Sequence, residues 1–158
     1  MKRLFLIYGN PGSGKTSLAE YLRSNHSFEI LSLDDLYIEF VKEKCPDFYF
    51  EKLRNYINQH YHHILNNGGY TKEKFGRDFV NEWHEYLFAT TIEWSATHDN
   101  LVVEGYLLID CLSDLETRMS QIAQVFLIYV SDHSYRVLGT PMSANDVAIL
   151  GQTDENTA

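Results

Sequence analysis

Eight consecutive residues, Gly9-Asn10-Pro11-Gly12-Ser13-Gly14-Lys15-Thr16, fit the pattern G-x-x-x-x-G-K-[ST] at every position. The spacing has a physical purpose. Glycines let backbone N–H groups turn inward around a chain of phosphates, where side chains would collide. A helix starting at Lys15 adds the partial positive charge of its N-terminus. Lys15 would reach the β- and γ-phosphates, and the Thr16 hydroxyl would ligate Mg²⁺. Ser17 follows as a further contact in the first helical turn. A random chain of this length matches the pattern at roughly the half-percent level, given glycine near 7%. The loop therefore predicts a bound nucleotide, ATP or GTP, with Mg²⁺. No N-K-x-D guanine signature accompanies it, which argues against a GTPase switch.

Three carboxylates fall where they could join the loop. Asp34 and Asp35 end the apolar run "FEILSL" (28 to 33), and Glu104 lies within "NLVVEGYLLI" (100 to 109). If both runs are parallel strands, their carboxyl ends form one edge of the sheet, the edge at which open α/β folds bind ligands. A carboxylate there can accept a proton from an attacking hydroxyl or hold a metal ion. Each acid also has a plainer reading. Asp34 or Asp35 could cap the following helix, and Glu104 could be an ion-paired strand end.

The elements that must position these residues follow from periodicity. Residues 3 to 8 are a continuous apolar run, as expected for a strand buried on both faces. Helices are expected after Lys15, from the aspartates to Lys44, and from about Asp78 to His98. Another is expected over Leu53 to Leu65, where apolar residues recur at helical spacing before "NNGG". A short helix around Leu112 to Ile122 and a last strand over 123 to 130 complete the series. Strands alternating with helices predict an α/β fold of three layers, with a parallel sheet of about four or five strands and helices on both faces. One domain is expected over 1–138, with a helical insertion at about 36–98, and residues 139–158 as a loose tail.

With the loop, the aspartates and the Glu-Gly pair in this order, the chain resembles P-loop kinases of the uridine kinase, phosphoribulokinase and pantothenate kinase group. "LSLDDLY" is similar to their S-x-D-D-F-Y stretch and "LVVEGYLLI" to their V-V-E-G strand. More distantly, "GNPGSGKT…FEILSLDD" resembles 5′-hydroxyl polynucleotide kinases and zeta toxins. The resemblance implies a P-loop NTPase fold and transfer of the γ-phosphoryl of ATP to a hydroxyl of a small nucleoside-like or sugar-like acceptor. It implies Asp34 as catalytic base, Lys15 on the phosphates and Glu104 as a metal ligand beside Thr16. Arg136 falls where the lid after the fourth strand carries its first arginine. Tyr37 matches the family's aromatic after the aspartates, which lines an acceptor pocket, although a packed core aromatic reads equally well.

After Arg136 the sequence contains no Lys or Arg. The kinase pattern is thus shortened at its C-terminal end. Two other readings stay open: a nucleotide-binding pseudokinase or regulatory module without transfer, and a polynucleotide 5′-hydroxyl kinase. Self-association or a completing partner chain would also be consistent.

Bulk properties narrow the partners. Net charge is −9 and the pI is about 5.1, so a duplex nucleic-acid partner is not expected. Lys72, Lys74 and Arg77 are the densest positive cluster and read as a solvated face rather than a phosphate clamp. "HYHH" (60 to 63) lacks a carboxylate or Cys at ligand spacing and predicts no metal site. Cys45 and Cys111 show no ligand spacing and read as reduced thiols. No run is long enough to span a membrane, and a cytoplasmic protein is expected.

Overall fold

β1 (Arg3–Gly9) forms the middle of the sheet, and all but its first residue are buried. It pairs in parallel with β3 (Asn100–Glu104) on one side and with β4 (Gln124–Ser131) on the other. A strand with neighbours on both edges and helices over both faces has no wet side, which is why its sequence is apolar throughout. The computed structural model describes residues 2–10, 12–44, 70–105, 108 and 111–138. Two further strands complete the sheet in the order β2-β3-β1-β4-β5. β2 (Glu29–Ser32) is parallel to β3, whereas β5 (Ser134–Leu138) returns antiparallel to β4.

Four helices flank this sheet among the described residues: α1 (Lys15–His26), α2 (Leu33–Lys44), α3 (Tyr70–Thr97) and α4 (Leu112–Met119). On one face Leu4, Leu6 and Tyr8 of β1 meet Leu36, Tyr37 and Phe40 of α2, Trp83 and Leu87 of α3, and Leu115 and Met119 of α4. On the other face Phe5 and Ile7 meet Leu18, Ala19 and Leu22 of α1, with Phe126, Ile128 and Tyr135 beside them. The period of two along β1 divides its side chains between these two cores. The expected three-layer α/β architecture of a P-loop NTPase is the one observed.

Local chemistry sets where these elements begin and end. α1 buries Lys15, Leu18, Ala19 and Leu22, one helical stripe. It stops at Ser27, whose left-handed backbone (φ 57°) directs its N–H to the Leu22 carbonyl. The strand expected over 100 to 109 ends at Glu104, because Gly105 turns the chain and its N–H donates to the Ile7 carbonyl at 3.1 Å. α3 begins at Tyr70, eight residues before the expected start, and carries Gly76 in its interior. Lys72, Lys74 and Arg77 therefore lie on helical backbone.

The greatest departure follows β4. The family resemblance puts Arg136 where a lid would carry its first arginine, in a pattern shortened from there on. Instead Asp132 and His133, with φ of 49° and 62°, form a two-residue turn, and Ser131 pairs with Ser134. Positive φ at both central residues is the type I′ hairpin turn, whose twist matches its strands. The expected helix over 53 to 65, the histidines at 60 to 63, Cys45, Pro11 and the tail at 139–158 lie outside the described residues.

Candidate active site

The carboxyl end of β1 runs directly into the glycine-rich loop, and α1 leaves it. Gly12 (φ 75°) and Gly14 (φ 107°) hold backbone conformations that L side chains adopt only with strain. Gly14 is the N-terminal cap of α1 and makes no side-chain capping bond. The first N–H groups of that helix thus face outward without intrahelical acceptors. At Gly9 the constraint is space: an added Cβ would lie 2.2 Å from the Val130 carbonyl oxygen of β4.

Lys15 is buried, and its ammonium donates to the carbonyls of Gly9 (3.0 Å) and Asn10 (2.9 Å). Burial lowers its pKa, while the nearby Glu104 and Asp34 carboxylates push it back up. Thr16 and Ser17 are exposed in the first turn, free to meet a ligand.

The sheet brings the two acids to the same place. Glu104 ends β3 in register with Ile7 of β1 and Ser32 of β2. Asp34 follows two residues after Ser32, in the first turn of α2 rather than at the strand end. One glycine allows this approach. A Cβ on Gly105 would sit 2.8 Å from the Leu33 Cβ, so the start of α2 can close on β3 only where no side chain intervenes. The Glu-Gly pair is thereby explained as carboxylate plus clearance.

Electrostatics confirm the proximity. Burial above all, with Asp34 and Asp35 adding and Lys15 opposing, pushes the Glu104 carboxyl up to about 7. Asp34 also lies above its ordinary value, raised by burial and by Asp35 and held down by Lys15. Asp34 is exposed as a residue, so this burial concerns its carboxyl at the rim of the site. Two like charges flanking one ammonium cannot both ionise cheaply, and an added cation would relieve them.

The residues fit a magnesium nucleotide. Ser13 is 5% exposed, and its Oγ has no hydrogen-bond partner among the described residues. A buried hydroxyl of this kind ordinarily has a partner. Thr16 and Glu104 supply oxygen donors without forming a closed cage, and the described residues hold no group of three metal-ligating side chains. Mg²⁺ with a nucleotide takes one or two protein oxygens and completes its shell with phosphates and water, and Thr16 and Glu104 are the oxygens that would hold it.

Other expected residues fall elsewhere. Tyr37 is fully buried and packs edge-on against Trp83, with ring centroids 5.0 Å apart, in the core rather than in a pocket. Arg136 is exposed on β5, opposite Tyr129, and is not part of a helical lid. One neighbour of the loop was missed: the backbone N–H of His133 donates to the Ser13 carbonyl at 2.7 Å. Only the dipeptide Asp132-His133 between alternating residues could have signalled that turn, and it lacks the usual glycine.

No family model matches the sequence. The chain is similar to the adenylate kinase isoenzyme 6 homolog of Drosophila melanogaster, with 32% identity over 114 residues. The match covers 67% of this chain, which spans 63% of the length of that relative. A crystal structure of a candidate kinase from Chloroflexus aurantiacus aligns with a TM-score of 0.45 at 16% identity, over 81% of this chain and 57% of that one. Neither comparison singles out the uridine kinase, phosphoribulokinase and pantothenate kinase group. In loop, sheet order and sequence the chain has the fold of a P-loop NTPase and is similar to a kinase homolog.

Proposed function

We propose that this protein is a Mg²⁺- and ATP-dependent phosphotransferase, acting on a hydroxyl of a small nucleoside-like or sugar-like acceptor. The observation that carries this reading is the convergence of Lys15, Asp34 and Glu104 beside the glycine loop, each perturbing the others' ionisation.

In this reading the loop N–H groups and Lys15 hold the β- and γ-phosphates, while Thr16 and Glu104 hold Mg²⁺. When bound, the metal neutralises phosphate charge and orients the transferring group. Asp34, with a carboxyl of raised proton affinity, accepts the proton of the attacking hydroxyl. Positioned bases of this kind contribute roughly 10²- to 10⁴-fold in rate. Arg136 belongs to the proposal only if its side chain swings toward the nucleotide from β5.

A second reading has one observation in its favour. The similar fly protein is named an adenylate kinase homolog, which suggests a nucleoside monophosphate as acceptor. An acceptor phosphate needs no base, so in that case Asp34 would position the acceptor or a metal-bound water. The two readings share the cytoplasmic location expected from the sequence. The described residues include no helix long and apolar enough to cross a membrane.

An acceptor panel with Mg·ATP, run on the wild type and the Asp34→Asn variant, decides among these readings. Transfer to a nucleoside or sugar, abolished in Asp34→Asn while ATP still binds, is the expected result. Transfer to a nucleoside monophosphate that survives in Asp34→Asn would favour the second reading. ATP binding without transfer to any acceptor would leave a nucleotide-binding module.

A further inference from the structure

The turn between β4 and β5 touches the phosphate loop at its most conformationally demanding point. The His133 backbone N–H donates to the Ser13 carbonyl at 2.7 Å. The His133 ring lies over Gly14, where an added Cβ would sit 2.7 Å from Nδ1. The Val130 carbonyl, just before the turn, fills the space beside Gly9. The buried Ser13 hydroxyl, without a partner among the described residues, lies within 3.1 Å of that same Gly9 Cβ position. Three of the loop's residues therefore share a seam with one hairpin.

Peptide geometry gives the seam a consequence. In a planar trans peptide the C=O of one residue and the N–H of the next point in opposite directions. A Ser13 carbonyl held by His133 on the β4 side obliges the Gly14 N–H to point away from the hairpin.

Resting on the nucleotide-binding reading, we infer that the Asp132–His133 turn is a positioning brace that fixes the Gly14 N–H for phosphate through the His133 backbone N–H, without touching phosphate itself. The left-handed backbone at both turn residues (φ 49° and 62°) aims that N–H at the loop. The imidazole is not needed for the hydrogen bond.

The test uses calorimetric titration with Mg·ATP and, separately, with inorganic pyrophosphate, which carries phosphates but no base or ribose. One variant inserts a single glycine between Asp132 and His133, which keeps a hairpin but displaces the N–H. The other, His133→Gly, keeps the N–H and suits positive φ. Loss of one well-placed hydrogen bond's worth of order weakens binding roughly tenfold. The insertion is expected to weaken ATP and pyrophosphate by the same factor, and His133→Gly to stay within about twofold of the wild type. In the wild type, pyrophosphate should also slow hydrogen exchange at the His133 amide, since coupling is reciprocal. That measurement stands even where the insertion variant unfolds. Unchanged binding in a folded insertion variant, or unchanged His133 exchange on a protein that binds pyrophosphate, overturns the brace alone. A wild type that binds neither probe overturns the nucleotide reading, and the brace with it.

Discussion

On the β3 side of the phosphate loop, charged side chains do the placing: Asp34 and Glu104 flank Lys15, and Gly105 lets α2 close on them. On the β4 side the work falls to backbone, with the Val130 carbonyl against Gly9 and the His133 N–H on Ser13. The first flank carries chemistry, because ionisable groups in a partly buried site shift one another. The second carries shape, because carbonyls and amides hold a loop but titrate nothing. The proposed phosphate site draws on both, and they come from opposite edges of one central strand.

Removing chemistry from the first flank should have the largest effect. Asp34→Asn is expected to lower turnover by roughly 10²- to 10⁴-fold, with Mg·ATP affinity nearly unchanged by titration. Affinity falling in parallel would show that Asp34 holds the nucleotide rather than the acceptor's proton.

Overfilling the second flank comes next. In Gly9→Ala the new Cβ meets a β4 backbone carbonyl at 2.2 Å, so two sheet strands must part. Overpacking of that kind costs about 1–3 kcal/mol, read as a lower denaturant midpoint. Gly105→Ala meets the Leu33 Cβ at 2.8 Å, a smaller overlap, and should cost less. Its specific signature would be a Glu104 pKa nearer the ordinary carboxylate value, as α2 moves off β3. Equal losses in the two variants would erase this contrast between the flanks.

Stability against pH sharpens the same comparison. Glu104 titrates near 7 in the folded protein and near 4.5 when free. Between those values the folded state binds more protons, so metal-free stability should fall as pH rises from about 4.5 through about 7. The loss has an upper bound of about 3 kcal/mol, at 1.36 kcal/mol per pKa unit. Urea titrations of wild type and Glu104→Gln at several pH values read it directly, and the variant should lose most of the slope. Saturating Mg²⁺ with nucleotide should flatten the wild-type slope as well.

The smallest effect lies far from both flanks. Arg118 of α4 makes a paired contact with the exposed Glu85 of α3 at 2.8 and 3.2 Å and covers the Phe88 ring at 4.4 Å. Exposed pairs contribute about 0.2–1 kcal/mol. Arg118→Ala should therefore shift the unfolding midpoint slightly and leave activity alone.

The first flank was legible in the sequence because its parts are side chains of distinctive type at strand ends. Gly9 to Thr16, Asp34 and Glu104 announce themselves by identity and order, and the sheet then brings them together. The helical stripe of α1 and the all-apolar β1 were legible for the same reason. The second flank was not, because it is made of peptide groups that every residue possesses. Asp132 and His133 include no glycine to mark left-handed backbone, so nothing in their types announces the hairpin. Tyr37 shows the opposite failing. Its type suited a pocket as well as a core, and only the position of Trp83 on α3, far along the chain, decides for the core.

The pairing of β1 also bears on how the molecule comes into being. Arg3 pairs with Asn100 and Gln124, whereas every β5 partner lies within the adjacent strand. Local hairpins close in microseconds, while contacts between distant segments await the closure of long loops. β1 is thus among the last strands to find its neighbours, and the turn that meets its loop can form ahead of that pairing. The phosphate affinity proposed for the loop would therefore be a late sign of folding, gained only once the chain through β4 has been made.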